Sequence, residues 1–311
     1  MLSRVARRIY WLTRYLERAE NTARLILVRH YAILDLPRNI QPDWDLLLHV
    51  LGAQELFAKL PGAANEKNII SFVFGERENP SSIISSLTKA RENMRTTREI
   101  LPSDAWERVN RLYLSVARRS NKDLPRASRH NVLNNIIQSC QQITGLLSGT
   151  MNKDAAYQFA LMGRNLERAD MSTRIIDVAS ADLMVAGDDA LPFQNVLWIS
   201  VLQSLSAYQM YRLNVQRNVS PEDALEFLLQ SKVFPRAVAH TLIKIESSMQ
   251  LLPHNAPALK AIASVQRKLR RTDCKTLKGE ALHEFLDLMQ LRLNDINRAI
   301  SATWFTPGQE Q

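Results

Sequence analysis

Glycine is scarce in this sequence, with nine residues among 311, and proline contributes only twelve. Folds that need many tight turns are therefore disfavoured, because glycine adopts the backbone angles of such turns at the lowest cost. The phosphate-binding patterns G-x-G-x-x-G and G-x-x-x-x-G-K-[ST] do not occur, which excludes the simplest nucleotide-binding sites.

Cysteine is represented by Cys140 and Cys274, without C-x-x-C spacing. Neither a disulfide framework nor a cysteine-based zinc site is expected, and a reducing compartment fits this usage. The apolar stretch at residues 9–12 is interrupted by Arg14 and Glu17, far short of the roughly 20 apolar residues that a membrane span needs. We therefore expect a cytoplasmic protein without membrane interaction.

The chain carries a net charge of +9 with a pI near 9.7, and arginine supplies 29 of its 40 basic residues. The guanidinium group forms two-pronged hydrogen bonds with carboxylates and phosphates, so this bias suits ion-pair networks or anion binding. An acidic or phosphorylated partner is a natural expectation for such a chain.

Apolar residues recur at spacings of three and four almost throughout, and hairpin signals such as Asn-Gly are absent. This pattern predicts an all-α protein. Ser220 and Pro221 are typical of the cap and the first position of a helix. We expect helix breaks at residues 36–43, 61–66, 75–80, 101–104, 120–126, 184–192, 218–223, 253–257 and 271–279.

An internal repeat is the most informative feature. Residues 9–28 and 159–178 share eight identities in twenty positions at an offset of 150, with the common core R-x-L-E-R-A-[ED]-x-[ST]-x-R. Two weaker sequence similarities between the halves occur in the same order along the chain. They pair residues 44–57 with 198–211, and 72–83 with 227–238.

The repeat predicts an internally duplicated helical bundle with two similar halves around a pseudo-two-fold axis. The halves would span residues 1–150 and 151–305, with a flexible tail at 306–311. Because each half would bury its apolar stripe against the other, one cooperative body is expected.

The repeated segment places charged residues opposite an apolar stripe of its helix. Glu20 with Arg24, and Asp170 with Arg174, have the spacing of favourable intrahelical ion pairs. The candidate functional or network residues are Arg14, Glu17, Arg18, Glu20, Arg24, Arg164, Glu167, Arg168, Asp170 and Arg174.

Arg14 and Arg18 are like charges one turn apart, which destabilises an isolated helix, so something else must compensate. Three interpretations are open. In the first, Glu17 and Glu167 form a partly buried network with arginines of the opposite half; in the second, the guanidinium groups face an anionic ligand or partner; in the third, the residues lie on a solvated surface.

A second polar helix is expected after the turn Glu78-Asn79-Pro80-Ser81-Ser82, whose hydroxyl groups are typical helix caps. Arg91, Arg95 and Arg98 would share one face of that helix. This face either binds an anion or a partner, or is simply a solvated basic surface. The candidate residues for binding an anion or a partner are Arg91, Asn93, Arg95 and Arg98.

Catalytic and metal-binding patterns are weak, and neither a metal nor a cofactor is expected. Glu280 and His283 form one E-x-x-H pair, whereas ferritin-like sites need two on facing helices. Residues 106–130 hold seven basic residues against two acids, and 260–278 hold seven against one. Few aromatic residues lie between them, so nucleic-acid binding through phosphate contacts is a less favoured hypothesis.

With these residues in view, the sequence resembles the bacterial Alpha-E family, also called the domain of unknown function 403 family. The resemblance covers nearly the whole chain. The matching segments are Met1-Leu2-Ser3-Arg4, Tyr10-Trp11, residues 14–21 (RYLERAEN) with Arg24, the turn 78–82, residues 90–95 (ARENMR), Trp106 with Asn110, and residues 163–174.

The resemblance implies an all-helical cytoplasmic protein that accompanies circularly permuted ATP-grasp proteins and transglutaminase-like peptidases. Such company points to a system that forms or remodels peptide or amide bonds. The leading hypothesis is a helical accessory subunit that binds an acidic or phosphorylated substrate, or the ligase itself. The rival is an enzyme of amide or peptide chemistry that uses Glu17 or Glu167, although neighbouring arginines lower a carboxylate pKa and so disfavour it as an acid near neutral pH.

Overall fold

The computed structural model describes residues 2–35, 44–119, 124–186 and 194–306, and these residues form helices and no strand. The predicted all-α class is confirmed for this part of the chain. The expected break at 36–43 lies outside the described residues, as do most of the breaks at 120–126 and 184–192 and residues 307–311 of the expected tail.

The chain divides into two compact units, Trp11–Lys153 and a second one formed by Met1–Tyr10 with Asp154–Gln311. The long helix α1 (Ser3–Asp35) contributes its first residues to the second unit and the rest to the first.

The unit Trp11–Lys153 contains six helices after α1 among its described residues. Helix α5 packs against α4 and α6, and α6 packs against α7. Their contact surfaces consist of aliphatic residues at helical spacing, such as Ile83, Leu87 and Met94 on α5. The helices are α2 (Asp45–Leu51), α3 (Gln54–Phe57), α4 (Glu66–Gly75), α5 (Ile83–Arg95), α6 (Ser103–Ala117) and α7 (Arg126–Thr150).

The second unit is organised around α8, which packs against both α12 and α14. Helix α13 packs against α12 and α14 as well. The helices are α8 (Ala155–Ala186), α9 (Gln194–Ser204), α10 (Tyr208–Val215), α11 (Pro221–Gln230), α12 (Val238–Gln250), α13 (Ala256–Arg271) and α14 (Gly279–Ile300), followed by a π-helical turn at Ser301–Phe305.

Side-chain caps begin several of these helices where the sequence predicts them. The Ser82 hydroxyl accepts a hydrogen bond from the Ser85 amide at 3.1 Å, and the Ser220 hydroxyl accepts one from the Asp223 amide at 3.2 Å. Asn79 is fully buried and donates to the Phe72 carbonyl at 3.3 Å, which ties the turn before α5 to the end of α4. The predicted caps at these two helices are confirmed.

One helix start was not anticipated. Asp154 Oδ1 accepts from the amides of Ala156 and Tyr157 at 2.9 and 3.3 Å, and so ends the turn at 151–154 and begins α8. Asp154 has the side chain of a good helix cap, but the turn before it lacks the proline or glycine signals on which the predicted breaks rest.

Candidate functional site

The two Glu-Arg motifs lie on α1 and α8, and their glutamates are buried. Glu17 retains 2% of its exposed surface and Glu167 retains none. Arg14 is also buried, whereas Arg18 and Arg168 are intermediate. The solvated-surface interpretation is therefore wrong for these glutamates, because the side of each helix opposite the apolar stripe is enclosed as well.

Aromatic rings explain how Arg14 and Arg18 are tolerated one turn apart. The guanidinium carbon of Arg14 lies 4.8 Å from the ring centre of Trp11, and that of Arg18 lies 5.9 Å from the ring centre of Tyr15. The two rings stack at 5.4 Å, and the ammonium of Lys89 lies 5.5 Å from the Tyr15 ring. Such cation-π contacts contribute roughly 0.5–2 kcal/mol each, which offsets the like-charge repulsion. The sequence signal is an aromatic residue three positions before each arginine.

The two predicted intrahelical ion pairs are both present. Arg24 donates to Glu20 Oε1 from Nη2 at 2.8 Å and from Nε at 3.1 Å. Arg174 donates from Nε to Asp170 Oδ2 at 3.0 Å. The first pair is almost completely enclosed and the second is partly exposed.

Cys140 lies inside the first unit, on α7, and is fully buried. Burial raises the pKa of its thiol well above the usual range, and the negative charges of Glu20 and Glu17 raise it further. A thiol in this environment stays protonated, so it is suited to packing rather than to nucleophilic chemistry.

Arg91 is held firmly by its neighbours on α6. Its Nε donates to Asn110 Oδ1 at 2.7 Å, and its guanidinium carbon lies 5.0 Å from the Tyr113 ring centre and 5.7 Å from that of Trp106. Since Trp106 and Asn110 match the family resemblance together with Arg91, these contacts give that combination a structural reason.

The predicted common face of Arg91, Arg95 and Arg98 is not continuous, because α5 ends at Arg95 and Arg98 lies in the following turn. Arg95 forms a two-pronged pair with Glu92 at 2.9 and 2.8 Å. The Asn93 carbonyl accepts hydrogen bonds from the Thr96 and Thr97 hydroxyls, which helps to end the helix. Anion binding by this group remains a prediction.

A cluster that the sequence analysis missed joins the start of α4 to the start of α7. Arg126 and Arg129 both donate to Glu66, and Arg129 Nη1 reaches Oε1 at 2.7 Å. Hydrogen bonds from Arg126, and next from Arg129, hold the Glu66 pKa at about 2 although burial opposes them. Two of the seven basic residues in the 106–130 stretch, Arg126 and Arg129, are thus paired with Glu66.

Positive charge at the end of α13 is, in contrast, exposed. Arg267, Lys268, Arg270 and Arg271 all face solvent, and no ion pair to them occurs among the described residues. Gln230 of α11 fixes this end by donating to the carbonyls of Leu269 and Thr272 at 2.9 and 2.7 Å. We call these four residues the α13 basic patch.

A cavity of about 360 Å³ lies between α8, α9, α11 and α14. Trp198 and Leu225 contribute to its apolar wall, and the Lys278–Glu222 ion pair, at 2.9 Å, belongs to its lining. The Trp198 indole nitrogen is buried, and no hydrogen-bond partner for it exists in the described part of the protein.

Beside this cavity, one histidine lies between two carboxylates. His283 Nδ1 is 2.6 Å from Asp177 Oδ1, and His283 Nε2 is 3.7 Å from Asp287 Oδ2. Gln290 donates to the other Asp177 oxygen at 3.2 Å. Hydrogen bonding to Asp177, followed by its charge, raises the His283 pKa.

The model of the Alpha-E family, described as a predicted alpha-helical domain with a conserved ER motif, matches residues 1–305. The chain belongs to the Alpha-E family. The Glu-Arg pairs 17–18 and 167–168 fit the motif in that description. No curated protein and no solved structure matches the chain.

Within this Alpha-E chain, no helix of the described residues has the length and apolarity needed to cross a bilayer. The structure shows two sorts of arginine. Arg14 and Arg18 of the first motif and Arg129 of the Glu66 cluster are held by neighbouring side chains, whereas those of the α13 basic patch extend into solvent.

Proposed function

We propose that this Alpha-E protein is a cytoplasmic helical accessory subunit of an ATP-grasp-dependent system that forms or remodels peptide or amide bonds. In this role it binds the ligase, or an acidic or phosphorylated substrate of the ligase, through exposed arginine and lysine side chains. A transglutaminase-like peptidase is a further partner in the same proposal, which rests on the family's expected company.

The burial of Glu17 and Glu167 is the observation that favours an accessory role over a catalytic one. A general acid or base must reach within hydrogen-bonding distance of its substrate, and these carboxylates have almost no exposed surface. Their burial supports a role in holding the fold. The net charge of +9 and the exposed α13 basic patch support instead the recognition of an acidic partner.

The α13 basic patch is the surface we assign to this contact. The cations of this patch also stabilise the negative end of α13 itself. A test of binding therefore needs a control variant that loses a cation at the end of another helix. Arg212 provides the comparison, since it is exposed in the last turn of α10.

We further propose that the chain arose by duplication, with halves at residues 1–150 and 151–305 around a pseudo-two-fold axis. The eight identities in the motif segment support this idea. So does the equivalent placement of the Glu20–Arg24 and Asp170–Arg174 pairs, at corresponding positions of α1 and α8.

Binding to the ATP-grasp protein of the same organism, measured with and without nucleotide, tests the accessory role. We expect a complex with the wild-type chain and about tenfold weaker binding for Arg267→Glu/Arg271→Glu, because interface charges of one sign steer and hold an acidic partner. The matched control Arg212→Glu/Lys244→Glu makes the same change in charge elsewhere and should bind normally. Absence of a complex under both conditions contradicts the accessory role, and equal weakening by both double variants contradicts the assignment to α13.

A further inference from the structure

The exposed side of α14 carries three metal-binding side-chain types at helical spacing, Glu280, His283 and Asp287. In the sequence, the E-x-x-H pair at 280 and 283 lacks a second pair that would make it a ferritin-like site. The fold supplies a different partner for His283, because α8 brings Asp177 to the other side of the imidazole ring.

Asp177 fixes both the orientation and the tautomer of His283. Its carboxylate is mostly buried and is held through its second oxygen by Gln290. Because an ionised carboxylate accepts hydrogen bonds, the Nδ1 atom at 2.6 Å carries the proton of the neutral ring. The Nε2 atom of the neutral ring is then left with a lone pair on the side of Asp287.

The Nε2 atom and Asp287 are placed as a chelating pair. The two residues are four positions apart on α14, and Nε2 lies 3.7 Å from Asp287 Oδ2. Ligand atoms around a tetrahedral zinc ion are about 3.4 Å apart, given metal–ligand distances near 2.1 Å. A small side-chain rotation therefore brings both atoms to coordination distance.

We propose that His283 and Asp287 bind a divalent transition-metal ion of the zinc class, with Asp177 as a positioning residue. A histidine ligand whose other ring nitrogen donates to a carboxylate is the usual arrangement at such sites. The imidazole disfavours magnesium and calcium, which prefer oxygen ligands throughout. With two protein ligands, the ion keeps positions for water or for an anionic oxygen.

The neighbouring cavity gives this site a functional context. Leu282 and Ser180 line the cavity, and they are one and three residues from His283 and Asp177 respectively. Trp198 contributes a buried N–H donor to the same wall, for which the described residues supply no acceptor. The metal site itself does not depend on the accessory role proposed above.

Isothermal titration with Zn²⁺ alone, on the full chain, tests the proposal. We expect one ion per chain for the wild type and loss of that binding in His283→Ala. Asp287→Asn replaces the carboxylate of the second ligand by an amide, and Asp177→Ala removes the acceptor of the positioning hydrogen bond, so each should weaken binding by roughly 10- to 100-fold. Glu284→Gln is the control, because this exposed carboxylate on the same helix is not part of the cluster.

Nitrogen-15 NMR of the histidines gives a second readout that a merely structural role would not move. The His283 resonances should show an Nδ1-protonated ring whose Nε2 shift changes on adding Zn²⁺, and Asp177→Ala, which removes the acceptor for Nδ1–H, should alter the tautomer. The proposal is overturned if wild type and His283→Ala bind zinc identically, or if zinc leaves the Nε2 shift unchanged. His283→Ala and Asp287→Asn change half-exposed or exposed side chains, so both are expected to fold even if Asp177→Ala does not.

Discussion

Arg129 donates a hydrogen bond from Nη1 to Glu66 Oε1 at 2.7 Å, with 4% of the arginine side chain and 18% of the glutamate side chain exposed. The same arginine also donates to the Leu124 carbonyl at 3.4 Å. Arg129 thereby connects the start of α4 with the start of α7 and with Leu124, which lies just before α7.

The Glu66 carboxylate should make the protein sensitive to acid. Its pKa is about 2 in the folded protein against an ordinary 4.5, so its stabilising effect is complete above about pH 5 and is lost as pH falls toward 2. That shift corresponds to about 3 kcal/mol of unfolding free energy. Urea unfolding of wild type and Glu66→Gln between pH 2 and 7 measures it. The two curves should converge at the acid end, and a constant separation at every pH would contradict the assignment.

Arg129 and Arg126 provide a matched comparison at one carboxylate. Arg129→Ala should lower the unfolding free energy by about 3–5 kcal/mol, because it removes a buried cation and leaves Glu66 less well paired. Arg126 lowers the Glu66 pKa more than Arg129 does, but its side chain is 67% exposed and solvent screens its pair, so Arg126→Ala should cost less, about 1 kcal/mol. Chemical denaturation of both variants decides this, and equal losses would show that burial is not what distinguishes the two arginines.

The acid–arginine pairs of the two motif copies should differ in energy although they occupy corresponding positions. Glu20 is buried and accepts two hydrogen bonds from Arg24, so Glu20→Ala should cost about 2–4 kcal/mol. Asp170 and Arg174 are partly exposed, and Asp170→Ala should cost about 1 kcal/mol. Thermal and urea unfolding of both variants provide the comparison, and the reverse order would contradict it.

Neither cysteine should react in the folded protein. Both thiols are buried, and burial raises the pKa of Cys274 to about 12 and that of Cys140 well above its usual range. An aromatic disulfide reagent should label no thiol at neutral pH and two per chain after unfolding. Rapid labelling of Cys140 in the native protein would show that the interior beside Glu17 and Glu20 is open to solvent.

Local chemistry accounts for what the sequence predicts well. The Ser82 and Ser220 caps, and the Glu20–Arg24 pair, join residues no more than four positions apart, where helical geometry alone fixes the distance. The all-α class follows in the same way from spacing repeated along the whole chain.

Contacts between distant segments account for the features that the sequence does not predict. Glu66 and Arg129 are 63 positions apart, and Asp177 and His283 are 106 apart. No local pattern encodes such pairs, because they depend on which helices pack together. For the same reason, helical periodicity places Glu17 opposite the apolar stripe but does not reveal that this side is also enclosed.

The most direct test of the account is product formation by the ATP-grasp ligase that we propose as the partner, in the presence of the Glu17→Gln protein, with complex formation and helical content measured in parallel. Because Glu17 is buried, we predict that a folded Glu17→Gln chain binds the ligase and supports product formation at the wild-type level. Loss of product while fold and complex stay intact would contradict the account, and would make Glu17 a catalytic residue.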